Sequence, residues 1–252
     1  MSNLYENLII WYKLDDNAIS TIIIDEKGNN GTSIRNTNLM HIDGRVGDAL
    51  YFITGDYIDT RNYFNAIFQN NFSISVWIKP DDGKPPTGYE NDLWGAGSTD
   101  YFSGHLELWN YTISEKSILQ FVYINSSTYL DLTLQNAFTD GQEDWHHIVI
   151  TVEQLSTDYC IAIMYLDNMN VKSTGNEFGQ LSEFKLDRNF QIGLTNLATS
   201  TGKRHFKGSI DDFRIYNKTL SVEEIEQIYN NESDVFMNLN STGERLFSEN
   251  GI

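Results

Sequence analysis

One cysteine, three prolines and 17 basic residues are all that 252 positions hold of these types, and each scarcity removes a class of protein. With Cys160 alone, no internal disulfide can form, so this is no stapled mini-scaffold. Its neighbours in "DYCIAIMYLD" read as a buried strand, which makes it a packed thiol. Few prolines and no low-complexity run leave no disordered linker to divide the chain. The 17 lysines and arginines face 35 acidic residues, a formal charge of -18. Such a surface repels phosphate, so nucleic acid and anionic lipid are excluded as partners. No apolar run approaches the roughly 20 residues that span a bilayer, so no membrane insertion is expected. The start, "MSNLYENLII", lacks the basic region and long apolar stretch of a signal peptide. The expected location is therefore the cytoplasm at synthesis, with a virus particle or another assembly as a later destination.

What the chain does have is alternation. Ten short stretches read as strands: 8–14, 47–53, 72–79, 105–109, 118–124, 128–134, 145–152, 159–167, 189–194 and 206–216. In "FSISVWIK", Ile74, Val76 and Ile78 fall on one face and Ser75, Trp77 and Lys79 on the other. That period of two marks a half-buried strand. Many strands without intervening helices predict an all-β, two-sheet antiparallel sandwich. One short C-terminal helix is expected near 221–230. Ser221 and Glu224 make a capping box there, and Ile225, Ile228 and Tyr229 follow at helical spacing. This places the domain at 1–231. The extension 232–252 keeps Val235, Phe236, Leu239, Leu246 and Phe247 without a period, and is expected to pack on the domain or on a protein partner.

Five segments in order carry a family resemblance: "LIIWYKLDD", "DEKGNNGT", "GRVGDALYFITGDYID" with "FSISVWIKPDD", "WHHIVITV" followed by "MYLDN", and "FKGSIDDFRIYNKTLSVEEIEQIY". Together they resemble the laminin-G-like jelly-roll domain of the concanavalin A-like lectin/glucanase superfamily. The resemblance implies two face-to-face antiparallel sheets with the first and last strands adjacent. It also implies a structural calcium. Asp15, Asp25 and Asp211 match the family's acidic positions, with Gly28 and Asn30 as carbonyl donors. Calcium takes six to eight oxygens, which such a set can begin to supply. The other reading of these aspartates is that they cap turns by accepting from backbone N–H groups. Alternation suggests that Asp211 points inward with Phe213 and Ile215, while Asp212 pairs outward with Arg214.

Catalysis is not expected. The glucanase branch of the superfamily carries a Glu-X-Asp-X-Glu motif, whereas "YENDLW" offers only Glu90 and Asp92, and Glu107 stands alone. His146 and His147 are neighbours on a strand, so they face opposite ways and cannot chelate one ion together. Recognition remains. Sugar sites combine an aromatic plate with groups that bond hydroxyls. The segment 81–105, read as long loops, offers Tyr89, Asn91, Asp92, Trp94, Asp100 and Tyr101. The alternative for its aromatics is that Trp94 and Phe102 anchor the loops to the sandwich. The expected function is thus a non-catalytic, lectin-like domain that binds a glycan or glycoprotein. The alternatives are a structural or interaction component of a virus particle or other assembly, and an inactive or divergent glycoside hydrolase.

Overall fold

A computed structural model describes residues 4–86, 90–95, 105–111, 116–124, 129–175, 177–184, 188–195 and 204–230. The strands in chain order begin with β1 (Leu8–Tyr12), β2 (Ile22–Ile23), β3 (Gly31–Ser33), β4 (His41–Asp43), β5 (Asp48–Phe52) and β6 (Ile58–Asp59). They continue with β7 (Phe72–Pro80), β8 (Glu90–Gly95), β9 (His105–Tyr111), β10 (Lys116–Ile124), β11 (Tyr129–Gln135) and β12 (His146–Gln154). The last are β13 (Tyr159–Leu166), β14 (Met169–Ser173), β15 (Glu177–Phe178), β16 (Gln191–Ile192), β17 (Leu194–Thr195), β18 (Arg204–His205) and β19 (Gly208–Tyr216). Every stretch read as a strand contains one.

Two antiparallel sheets form the sandwich. The nine-stranded sheet runs β14-β13-β12-β7-β19-β5-β4, with β1 on β19 and β15 on β13. The eight-stranded sheet runs β11-β10-β9-β8-β16-β6-β3-β2. Their inner faces meet in one core: Ile74, Val76, Ile78, Ile148 and Ile150 from the first sheet, against Leu106, Leu108, Leu119, Phe121 and Leu132 from the second. The predicted pairing of the first strand with the last is present, Tyr12 lying opposite Phe213. Cys160 is fully buried, and that burial pushes its thiol up to about 11.

Helix α1 (Asn65–Phe68) is a single turn that the sequence reading did not anticipate, and α2 (Val222–Tyr229) is the expected capped helix. Ser221 Oγ accepts from Glu224 N at 3.3 Å and Glu224 Oε2 accepts from Ser221 N at 3.0 Å. Such a cap contributes about 1 kcal/mol. The helix lies over the outer face of the nine-stranded sheet. There Ile225 and Ile228 join Leu8, Trp11, Val149 and Tyr216 in a second apolar cluster. Among the described residues no helix is long and apolar enough to cross a membrane. The extension 232–252 lies outside the described residues.

Two expectations are corrected. Residues 90–95 are not loop but strand β8, paired with β9 and β16. The polar composition of "ENDLWG" hides a strand whose pairing is supplied by its neighbours. Asp211 does not face the core. Ile210 pairs with Ile78 and Asp211 with Trp77, and then the register slips before Arg214 pairs with Ser75. Asp212 takes the extra place at φ +50°. This bulge inverts the alternation, so Asp211 shares the outer face with Trp77 while Phe213 still reaches the core.

Candidate functional site

The bulge gathers carboxylates beneath the loop "GRVGD", residues 44–48. Asp211 Oδ2 accepts from Arg45 N at 2.7 Å and Val46 N at 2.8 Å, and Asp15 Oδ1 accepts from Asp48 N at 2.8 Å. Both glycines are required by this closeness. A Cβ on Gly44 would lie 2.7 Å from Asp211 Oδ2, and one on Gly47, at φ +71°, would lie 2.8 Å from Asp15 Oδ1. Asp212 is buried against Arg214 at 2.8 Å and also accepts from Trp11 Nε1 at 2.6 Å. Asp211 Oδ1 is buried with no hydrogen-bond partner among the described residues. Burial pushes this carboxyl up to about 8, and the charges of Asp212 and Asp15 add to the rise against the Val46 and Arg45 amides.

The expected metal residues do not converge. Asp25 belongs to a separate turn, where Oδ1 accepts from Trp11 N at 2.6 Å and Oδ2 from Asn29 N at 2.8 Å. Asn30 turns its own Oδ1 to Asp25 N at 3.0 Å, and Gly28, at φ +91°, closes the turn onto Asp25 O. Both Asp25 oxygens are thus engaged by amides. Among the described residues no three metal-binding side chains surround a common point. As placed, Asp15, Asp25, Gly28, Asn30 and Asp211 fit two carboxylate-capped loops and not one calcium cage.

Within 81–105, Tyr89, Asp100 and Tyr101 lie outside the described residues. Asn91 is half-buried on β8. Trp94 is not an exposed plate. It is 1 % exposed and meets the Phe213 ring edge-on at 5.9 Å. The register slip between Asp92 and Trp94 turns both Leu93 and Trp94 into the core. Asp92 is buried and lies opposite Glu107 across β8 and β9. Glu107 is bound by Arg204 Nη1 at 2.8 Å, with His105 Nε2 3.7 Å away. The two histidines face opposite ways, as expected. His147 is buried on Ser75 Oγ at 2.8 Å, and burial holds its imidazole down to about 3. His146 is half-buried on Asp167 at 2.8 Å, and that hydrogen bond raises it.

Among the described residues the most exposed aromatic is elsewhere. On β11, Leu130 and Leu132 enter the core, so Tyr129, Asp131 and Thr133 line the outer face of the eight-stranded sheet. Tyr129 is 56 % exposed, and its hydroxyl donates to Asp131 Oδ2 at 3.1 Å. Gln120 Nε2, from β10, reaches both Asp131 oxygens at 3.0 Å, and Thr133 Oγ1 donates to Oδ1 at 2.6 Å. A carboxylate braced from three sides thus stands beside an accessible ring. The alternation of "TYLDLTL" carries this signal, in a strand and not in the 81–105 stretch where an aromatic plate is expected.

Comparison with known proteins sets this sandwich in a lineage. The chain is 25% identical over 248 residues to a non-toxic nonhemagglutinin of Paraclostridium bifermentans, an alignment covering 95% of this chain and 19% of that protein. It therefore spans about a fifth of that relative's length. Among solved structures, the binding domain of botulinum neurotoxin serotype D superposes with a TM-score of 0.63 at 18% identity, over 92% of this chain and 53% of that one. Domain 4 of a GH43 extracellular arabinanase from Geobacillus stearothermophilus, solved with arabinotriose, gives 0.58 at 20% identity, over 88% of this chain and 98% of that one. Residues 52–226 match the Laminin_G_3 family, and the chain belongs to that family of the concanavalin A-like lectin/glucanases superfamily.

Proposed function

We propose that the domain is a non-catalytic recognition module for neutral glycans. The observation that carries this reading is the exposed Tyr129 ring beside the braced Asp131 carboxylate on a lectin-like sheet face. An aromatic face takes the apolar side of a sugar, and polar groups fixed beside it, here the Tyr129 and Thr133 hydroxyls and the Gln120 carboxamide oxygen, can bond its hydroxyls. Absence of catalysis is supported by the acids opposed across β8 and β9. An acid–base pair must reach the scissile bond, whereas Asp92 and Glu107 are buried and Arg204 holds Glu107. The domain of the arabinanase whose structure contains arabinotriose is consistent with the same use of the fold. Neutral ligands are favoured because a chain of charge -18 repels polyanions. Calorimetry tests the reading. Tyr129→Ala should weaken binding to a neutral oligosaccharide about tenfold, the equivalent of ~1.4 kcal/mol, with the melting curve unmoved. Equal affinity in the variant would remove Tyr129 from the site.

A second reading, a module that docks on another protein, is favoured by one patch. Ile19, Ile22, Ile24, Ile34 and Leu39 are all exposed beside β2, the edge strand of its sheet among the described residues. The backbone ties 18–21 to 33–38, so these side chains belong to one surface region.

A further inference from the structure

A cavity of about 530 Å³ opens where the nine-stranded sheet ends, apart from the Tyr129 face. It lies within the span of small-ligand sites, roughly 300–1,000 Å³. Its walls come from four distant segments: Gln69, Asn70 and Asn71 before β7, Gln154 and Thr157 at the β12–β13 turn, Gln180 and Ser182 after β15, and Asn217 after β19. The chain carries 35 acidic residues, yet none of the eight lining residues is ionisable, and none is apolar.

Four of the carboxamides are already oriented. Gln154 Oε1 accepts from Leu181 N at 2.7 Å, and its Nε2 is shared between the carbonyls of Ser156, Tyr159 and Gly179. Gln154 N donates to Asn71 Oδ1 at 2.8 Å, which fixes that side chain and leaves its NH2 as a donor pair. Gln69 Nε2 donates to Phe184 O at 2.6 Å and Asn70 Nδ2 to Ala66 O at 2.9 Å, so each keeps its oxygen as an acceptor. Among the described residues, the side chains of Thr157, Ser182 and Asn217 make no hydrogen bond. The cavity thus offers fixed donors, fixed acceptors and hydroxyls, with no countercharge for a phosphate or a cation.

We infer that this cavity binds a neutral oligosaccharide, as a site additional to the Tyr129 face; the inference rests on the glycan reading above. Sugar hydroxyls donate and accept at once, which matches mixed amide oxygens and NH2 groups. The desolvation cost of covering these polar groups is offset by a ligand that hydrogen-bonds to them, and the CH2 stems beside them can take the apolar face of a sugar ring.

The test uses the full chain with a panel of neutral oligosaccharides that includes arabinotriose, read by calorimetry and by amide shifts. The expected result is two saturable sites per chain, one shifting the amides of residues 69–71 and 182. Ser182→Trp, at an exposed position, should fill the cavity and weaken that site at least tenfold. Thr157→Val should weaken it several-fold without filling it. Tyr129→Ala should leave it unchanged. Binding that survives both Ser182→Trp and Thr157→Val would overturn the cavity while leaving the glycan reading intact. A wild-type chain that binds no member of the panel would overturn both.

Discussion

Trp94→Ala should lower the unfolding free energy by about 3–5 kcal/mol and leave glycan affinity, measured on the folded fraction, unchanged. The indole is buried between the sheets, edge-on to Phe213, and its own carbonyl accepts from Thr195 Oγ1 at 3.2 Å. Truncation removes a large apolar volume from a close-packed layer that cannot collapse around the gap. In a domain of this size each kcal/mol corresponds to roughly 2–4 °C, so the melting point should fall by on the order of ten degrees. Denaturant unfolding measures the loss directly. A stable variant with weakened binding would return Trp94 to the ligand site and contradict its burial.

The second large effect has the opposite sign. Asp211→Asn should stabilise the protein by about 2–4 kcal/mol at pH 8, with the gain shrinking toward pH 4. Burial raises the folded-state carboxyl from 3.8 to about 8, aided by Asp212 and Asp15. Because the folded value is the higher one, the native state binds the extra proton. Its contribution is fully present below about pH 4 and is lost as pH rises toward 8. Asparagine keeps an oxygen for Arg45 N and Val46 N and carries no charge to desolvate. Unfolding curves at several pH values, with and without chelator, decide the matter. A variant less stable than wild type, with chelator lowering only the wild-type melting point, would mean that a cation neutralises Asp211.

These two residues also mark what the sequence could express. Ile74, Val76 and Ile78, or Ile148 and Ile150, announce a strand through their own alternation, because the face they bury is the core. The capping box of α2 is equally local, Ser221 and Glu224 being three residues apart. Trp94 sits in a strand with little β-propensity, held by β9 and β16, so its burial depends on partners more than ten residues away. Asp211 takes the face opposite to the one its alternation suggests, because a bulge is fixed by the strand opposite, here β7. Tyr129 was legible in the alternation of β11. The amide cavity was not, since four segments between Gln69 and Asn217 build it and none carries a motif.

The claim that this fold recognises glycans without cleaving them meets its most direct test in one incubation. The intact chain is mixed with neutral oligosaccharides at binding concentrations, and both complex formation and oligosaccharide length are followed over hours. Saturable binding with every oligosaccharide recovered at its starting length is the predicted result. Shortened products that disappear in Asp92→Asn or Glu107→Gln would make the buried pair catalytic and contradict the account.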